Sequence, residues 1–341
     1  MGEDPSSDGL VGGTIFVRSR NIELLIPCER LFLKFEGGNP TGTQKDRVST
    51  AVVQNAAKMG YDEIGIGTCG NFGASLAFFS KEFGLKSHVF IPADYKDSRV
   101  GEIQEYGGII HRVDGTYEDA IEISSEEAET WGWYNANPGK NGNSEVSLNA
   151  YAKISVEIFT SLGRVPDIVS VPVGNGTTIA GIYHGFKYLH DFGKTDKVPK
   201  MIAASTLGGN PVVESFSRGW HLIRDLKPDE IKETPINEPL VSWHSFDGQL
   251  ALNALYESNG LATCVSDAKM KEFARILMQE EGLSVLPASA SSLAALSTFL
   301  RGAHSPQTCV AILTGRHPYY IHNNHKNRNT VNSHLPNRCG I

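Results

Sequence analysis

At 341 residues, 40% apolar and 20% charged, the chain has the make-up of a globular protein, with room for one large domain or two closely packed ones. A net charge of −7 without a basic run argues against a nucleic-acid partner, and no apolar run approaches the roughly 20 residues of a membrane span. The start, MGEDPSSDGLVGG, is polar and acidic, unlike a signal or transit peptide, so a cytoplasmic protein with no membrane partner is expected. Cys28, Cys69, Cys264, Cys309 and Cys339 are odd in number and form no CxxC pair, which fits a reducing compartment and neither a disulfide framework nor a metal site.

The first segment of note is LFLKFE, which reads as extended and leads into NPTGTQKDR, residues 39 to 47. Lys45 stands there between turn-forming small residues and an Asp46–Arg47 pair expected to open an amphipathic helix through VSTAVVQNAAKMG. A surface lysine needs no such setting, whereas a lysine that must meet a ligand does.

Short β-rich runs then alternate with helical patterns. The predicted strands are EIGIG (63–67), SHVFIP (87–92), GIIHRV (108–113), DIVSVPV (167–173), MIAAS (201–205) and CVAILT (309–314). Between them, Leu76, Phe79 and Phe83 share one helical face, and Ile179, Ile182, Tyr183 and Phe186 another. DAKMKEFARILMQEEGL and SASSLAALSTFL predict two further helices. The alternation predicts an α/β fold with mainly parallel sheets. Residues 206–246, rich in Pro, Gly and charge, are expected to be irregular and near the active face. The Asn- and His-rich stretch 321–341 has no apolar period and reads as a polar tail, and its histidines match no metal-ligand spacing.

Three glycine-bearing turns follow predicted strands. In VPVGNGTT, the backbone N–H groups of Gly174, Asn175, Gly176 and Thr177 can form a concave donor nest at the start of a helix, a natural seat for a phosphate. No Gly-Lys-Ser/Thr follows, so it is not a nucleotide P-loop, and the plain alternative is a tight turn capped by a hydroxyl. In GTCGNFGAS, Thr68 and Asn71 offer side-chain hydrogen bonds beside glycines that let a ligand approach. The same stretch contains GIGTCG, a GxGxxG with Asp94 downstream, which leaves NAD binding open, although Gly65 falls inside a short strand. It also contains GASLA, an incomplete nucleophile elbow centred on Ser75. The third turn, LTGRHP, puts Thr314 at the carboxyl end of the last strand, the edge where α/β sheets bind ligands.

The four motifs in this order resemble the fold type II pyridoxal-phosphate enzymes, the tryptophan synthase beta-like group, and within them are most similar to threonine synthase. That family's lysine motif is close to NPTGSFKDR, its next turn to STGNT and its phosphate loop to PVGN. EEGLSVLPASASSLAAL (280–296) is similar to its EEG…EPASAA stretch, and the resemblance spans about residues 30 to 316. It implies two three-layer α/β domains with the active site in the cleft between them: a large domain of residues 1–44 plus 156–320 and a small one of 45–155. It further implies pyridoxal 5'-phosphate as cofactor, an amino-acid substrate and a homodimer. Lys45 would be the Schiff-base lysine and the base that moves the α-proton. Asn71 would hydrogen-bond the cofactor's ring hydroxyl. Gly174, Asn175, Gly176, Thr177 and Thr178 would hold its phosphate, and Thr314 would face its ring nitrogen. Thr68, Cys69, Gly70 and Phe72 would line the pocket for the substrate's α-carboxylate.

The implied reaction is loss of a side-chain leaving group followed by addition of a nucleophile, as in conversion of O-phosphohomoserine to threonine. Several positions depart from the family. Gln44 replaces an aromatic, Cys69 a hydroxyl residue, and TGRHP the usual TGxGLKD. VSLNAYAK (146–153) stands where a basic RIEGQKT-like stretch is usual, with Ser147 near the expected phosphate-binding arginine. Lys140, Lys153 and Arg316 are the cations that could replace it. Four alternatives stand beside this one: a threonine- or serine-type dehydratase, a β-replacement synthase of cysteate synthase type, a silent amino-acid-binding protein, and an NAD-binding oxidoreductase.

Overall fold

The computed structural model describes residues 9–68, 70–95, 99–301 and 307–317. Among these residues the strands form two sheets. The first draws on β1 (Ile15–Arg18), β2 (Arg30–Phe35), β7 (Ile168–Pro172), β8 (Lys200–Thr206), β9 (Leu261–Val265) and β10 (Thr308–Leu313), in the order β1-β2-β10-β7-β8-β9. The second, ordered β5-β4-β3-β6, draws on β3 (Glu63–Gly67), β4 (Lys86–Pro92), β5 (Ile109–Val113) and β6 (Tyr134–Asn135). Every ladder is parallel except β1 against β2. The central strands β7 and β10 are buried along their whole length. A parallel strand covered on both faces has no solvated side, which is why DIVSVPV and CVAILT read as continuous apolar runs.

The helices supply those covers. In chain order they are α1 (Arg20–Glu23), α2 (Lys45–Lys58), α3 (Asn71–Glu82), α4 (Arg99–Glu105), α5 (Tyr117–Trp131) and α6 (Asn143–Leu162). There follow α7 (Thr177–Asp191), α8 (Pro211–Ser217), α9 (Gly248–Glu257), α10 (Asp267–Glu281) and α11 (Ser291–Phe299). The predicted faces pack as expected: Leu76 and Phe79 of α3, and Ile179, Ile182 and Phe186 of α7, are buried in one core cluster. α6 packs on both α2 and α7 and runs unbroken through residue 155, where the expected domain boundary falls. Among the described residues no helix is long and apolar enough to cross a membrane.

Three features depart from the sequence expectation. The stretch 206–246 is irregular for most of its length but contains α8, capped by Asn210, whose side chain accepts from the N–H groups of Val212 and Val213. β9 (LATCV) is a short, half-exposed edge strand with only Val265 buried, and it was not among the predicted strands. β1 is likewise an exposed edge strand, recognisable only through its register with β2. The polar tail, 321–341, lies outside the described residues.

Candidate active site

The carboxyl ends of four strands deliver the motifs to one place. β10 pairs with both β2 and β7, so the segments leaving these three strands emerge side by side. A bridge between Thr43 and Gly315, and a bond from the Gln44 N–H to the Thr314 carbonyl (2.9 Å), stitch the lysine loop to the end of β10. A cavity of about 970 Å3 opens there, lined by Lys45, Asn71, Gly174–Thr178 and Thr314 together with Thr68 and Phe72. Gly70 does not line it. It caps α3 with φ +114°, and an added Cβ would lie 2.5 Å from the Tyr95 hydroxyl. Cys69 lies outside the described residues.

Lys45 opens α2, and its neighbours fix that start. The buried Asp46 carboxylate accepts from the Thr41 N–H (2.7 Å), the Ser75 hydroxyl (2.6 Å) and the Thr41 hydroxyl. Ser75 is therefore a buried structural donor, which removes the nucleophile-elbow reading. Arg47 is buried against Glu36 and Glu157. The Lys45 amine sits 5.1 Å from the centroid of the Phe72 ring. Burial lowers its pKa from 10.5 to about 8, and the Asp247 carboxylate acts in the opposite direction.

At the head of α7, none of the backbone N–H groups of Gly174 to Thr178 is taken by an acceptor among the described residues. The loop is closely backed. A Cβ on Gly174 would lie 2.5 Å from the Pro239 carbonyl oxygen, and Gly176, at φ +89°, would meet Ala251 at 2.7 Å. The Asn175 amide nitrogen donates to the Tyr117 hydroxyl (2.9 Å), while its buried Oδ1 has no partner among the described residues. The Thr177 hydroxyl donates to Asp247 (2.6 Å), which also accepts from Ser144 (2.8 Å).

Thr314 and Ser289 face each other with their hydroxyl oxygens 2.8 Å apart. Ser289 also accepts from the Gly315 N–H (3.0 Å) and lines the cavity. Neither Ser289 nor Asp247 was singled out by sequence. Ser289 sits in a small-residue run that reads as helix packing, and Asp247 lies 70 residues from the loop that it touches. Gly65 lies within β3, paired with His88 and Asn135, so no turn forms there and the GxGxxG loses its dinucleotide reading. Of the cations expected to compensate for Ser147, Lys140 and Lys153 are exposed outside the cavity. Arg316 instead donates to the carbonyls of Gly37 (3.1 Å) and Pro40 (3.0 Å), bracing the lysine loop from behind.

A mainly parallel α/β fold with a desolvated lysine, an anion-ready helix start and a neutral hydroxyl pair in one cavity defines a class of cofactor-dependent enzyme. The chain belongs to the fold type II pyridoxal-phosphate dependent enzymes, the family description that matches residues 8–315. It is 34% identical over 300 residues to a threonine synthase of Methanocaldococcus jannaschii, covering 85% of this chain and 70% of that protein. It is 30% identical to a threonine synthase of Methanosarcina acetivorans over 313 residues, covering 89% and 74%. In fold it is similar to an L-serine ammonia-lyase from Rhizomucor miehei, with a TM-score of 0.76 at 18% identity, covering 93% of this chain and 98% of that one. The chain is a pyridoxal-phosphate-dependent lyase or synthase of amino-acid metabolism.

Proposed function

We propose that the enzyme removes or replaces a side-chain leaving group on an amino acid, with Lys45 as the attachment point of the cofactor and the carrier of the substrate's protons. The observation that carries this reading is the shared cavity: a lysine whose pKa is about 8 opens onto the same space as the α7 head, Asn71 and Thr314. The residues present fit pyridoxal phosphate. Gly174 to Thr178 offer unclaimed N–H donors, with the positive end of a helix behind them, where its phosphate would lie. Asn71 would hold the ring hydroxyl, and Thr314, backed by Ser289, would meet the ring nitrogen. Bound there, the cofactor supplies an electron sink for the pair released when the α-proton leaves.

The chain's own residues then divide the work. The neutral Lys45 amine accepts the α-proton and returns it, which an ordinary ammonium at neutral pH could not do. Thr68 and the start of α3 would orient the α-carboxylate. A neutral hydroxyl at Thr314, in place of a carboxylate, leaves the ring nitrogen less electron-demanding and favours elimination and replacement. The similarity to threonine synthases supports a reaction of that type, elimination followed by addition. We also propose a division into units of 1–44 plus 156–320 and of 45–155, supported by the separate sheets and crossed by α6. A homodimer is supported by the exposed apolar residues Ile15 and Val17 on the edge strand β1, near the exposed Leu24 and Leu25. The free thiols of Cys28, Cys264 and Cys309 support the cytoplasm.

The test is the visible spectrum of the purified protein before and after borohydride, with peptide mapping of the reduced adduct. A yellow band removed by borohydride, with the label on Lys45, is expected; a label on another lysine would overturn the assignment. Amino acids that shift the band then identify the substrate.

Two further outcomes follow. The rate at which cofactor-free protein captures pyridoxal phosphate is expected to rise with pH through a midpoint near 8 and to level off above it, because only the neutral amine attacks. Asp247→Asn removes the carboxylate that raises this pKa and is expected to move the midpoint lower; stopped-flow absorbance checks both. Gly174→Ala forces a methyl against the Pro239 carbonyl at a cost of about 1–3 kcal/mol. It is expected to weaken cofactor retention by about tenfold or more, read from the cofactor remaining after dialysis.

A further inference from the structure

Ser289 and Thr314 belong to two segments that the main chain zips together. The Leu286 N–H donates to the Gly315 carbonyl (3.0 Å), and Val285 bridges Arg316. Ser289 follows in the single 3-10 turn Pro287–Ala290, its N–H donating to the Leu286 carbonyl (2.9 Å). The Ser292 hydroxyl then ties the Ser289 carbonyl (3.1 Å) to the Ile312 carbonyl of β10 (2.8 Å). Backbone geometry therefore sets the spacing of the two hydroxyls. Ser289 is fully buried and Thr314 is 9% exposed, and both line the cavity.

Such a pair has two protons to place. The Ser289 oxygen accepts from the Gly315 N–H (3.0 Å), and its own proton can reach two neighbours. One is the Thr314 hydroxyl oxygen at 2.8 Å, the other the Gly315 carbonyl oxygen at 3.4 Å. The first is an ordinary O–H···O length, and the second lies beyond that range. The same carbonyl is already engaged by Leu286. The Ser289 proton therefore goes to Thr314. The only acceptor for the Thr314 proton among the described residues is the Ser289 oxygen, and a contact of 2.8 Å holds one proton, not two. That second proton is left for the cavity, where a buried donor needs a lone pair.

We propose that Ser289 is a positioning residue that holds the Thr314 hydroxyl as a hydrogen-bond donor toward the cavity. The inference rests on the reading above, in which Thr314 meets the cofactor's ring nitrogen. The site then selects that nitrogen with its lone pair free. A protonated ring nitrogen would set a second donor against Thr314 and leave one proton without an acceptor.

The test loads the wild type, Ser289→Ala, Thr314→Val and the double variant with pyridoxal phosphate isotopically labelled at the ring nitrogen. Its NMR resonance separates the protonated from the unprotonated form. The wild type is expected to show the unprotonated position at neutral pH. In Ser289→Ala the Thr314 hydroxyl turns freely and can also accept, so the midpoint for protonating the ring nitrogen is expected to rise by about one pH unit. The dissociation constant of the cofactor, from equilibrium dialysis, is expected to rise about threefold to tenfold in each single variant. The double variant is expected to bind no more weakly than Thr314→Val, because Ser289 acts through Thr314.

A Ser289 that only braces the turn would leave the midpoint in place and make the two losses multiply. Either result would overturn the proposal, as would a protonated ring nitrogen in the wild type. That last measurement needs no variant, so it decides the matter should Ser289→Ala not fold. Borohydride labelling of Lys45, done first, separates two kinds of failure. With no label the catalytic reading falls and takes this proposal with it; with normal labelling and a protonated ring nitrogen, this proposal falls alone.

Discussion

Lys45→Ala is expected to lower kcat by more than about 10^3-fold, since the proposed function asks one residue both to hold the cofactor and to act as general base, a role by itself worth about 10^2–10^4-fold. The fold should survive, because the amine makes no ion pair among the described residues and its burial is a cost that the substitution removes. The melting temperature is therefore expected to stay level or rise. Small primary amines added to the variant should restore part of the proton transfer, with a rate that follows the concentration of neutral amine. A loss of less than tenfold, or no rescue together with a collapsed Tm, would mean that Lys45 is structural. Steady-state kinetics and a thermal melt on the same sample separate the two cases.

Arg47→Ala is expected to have the largest effect on stability. Its guanidinium, 4% exposed, donates to Glu36 at 2.6 and 2.9 Å and to Glu157 at 2.7 and 2.9 Å. Glu36 is fully buried and also accepts from the Thr14 hydroxyl, while Lys34, 1% exposed, binds Glu157 at 2.5 Å. Removing the guanidinium strands the Glu36 charge inside the protein, which typically costs about 3–5 kcal/mol. For a chain of this size the melting temperature should fall by about 10 °C. Glu36→Gln combined with Arg47→Met removes both charges and should recover much of that loss; a double variant as unstable as Arg47→Ala would mean that shape, not charge, is what matters.

The same network has a pH signature. Burial alone would raise the Glu157 carboxyl, but hydrogen bonds and charge from Arg47 and Lys34 overcome it and lower its pKa from 4.5 to about 2. A carboxyl with a depressed folded-state pKa stabilises fully above 4.5, and that contribution is lost as pH falls from there toward 2. Thermal melts of the wild type should show this acid limb, and in Arg47→Ala it should flatten. Because Arg47 is two residues from Lys45 on α2, the variant should also lose activity in proportion to the disorder of that helix start.

Much of this was readable in the chain because it is local. A lysine after small residues, a glycine turn after an apolar strand and a hydroxyl at a strand's end are short-range patterns, and parallel α/β topology sends strand ends to one edge. Seven strands, LFLKFE included, were legible as short β-rich runs, and the helices α2, α3, α7, α10 and α11 as helical patterns, because these signals lie within each segment. The edge strands β1 (IFVR) and β9 (LATCV) were not: they are four and five residues long with most side chains exposed or half-exposed, and their place is fixed by the partner's register.

What the sequence by itself determined is thus the fold class, the order of the motifs and the presence of one lysine in a ligand-facing setting. What only the tertiary structure decided is the company those motifs keep. Ser289 against Thr314, Asp247 against Thr177 and Arg316 behind the lysine loop join segments between 25 and 279 positions apart. No local pattern encodes such pairs. A serine in a small-residue run or a glutamate in a polar loop looks the same whether it meets water or a catalytic cavity, and its energy depends on what packing brings against it.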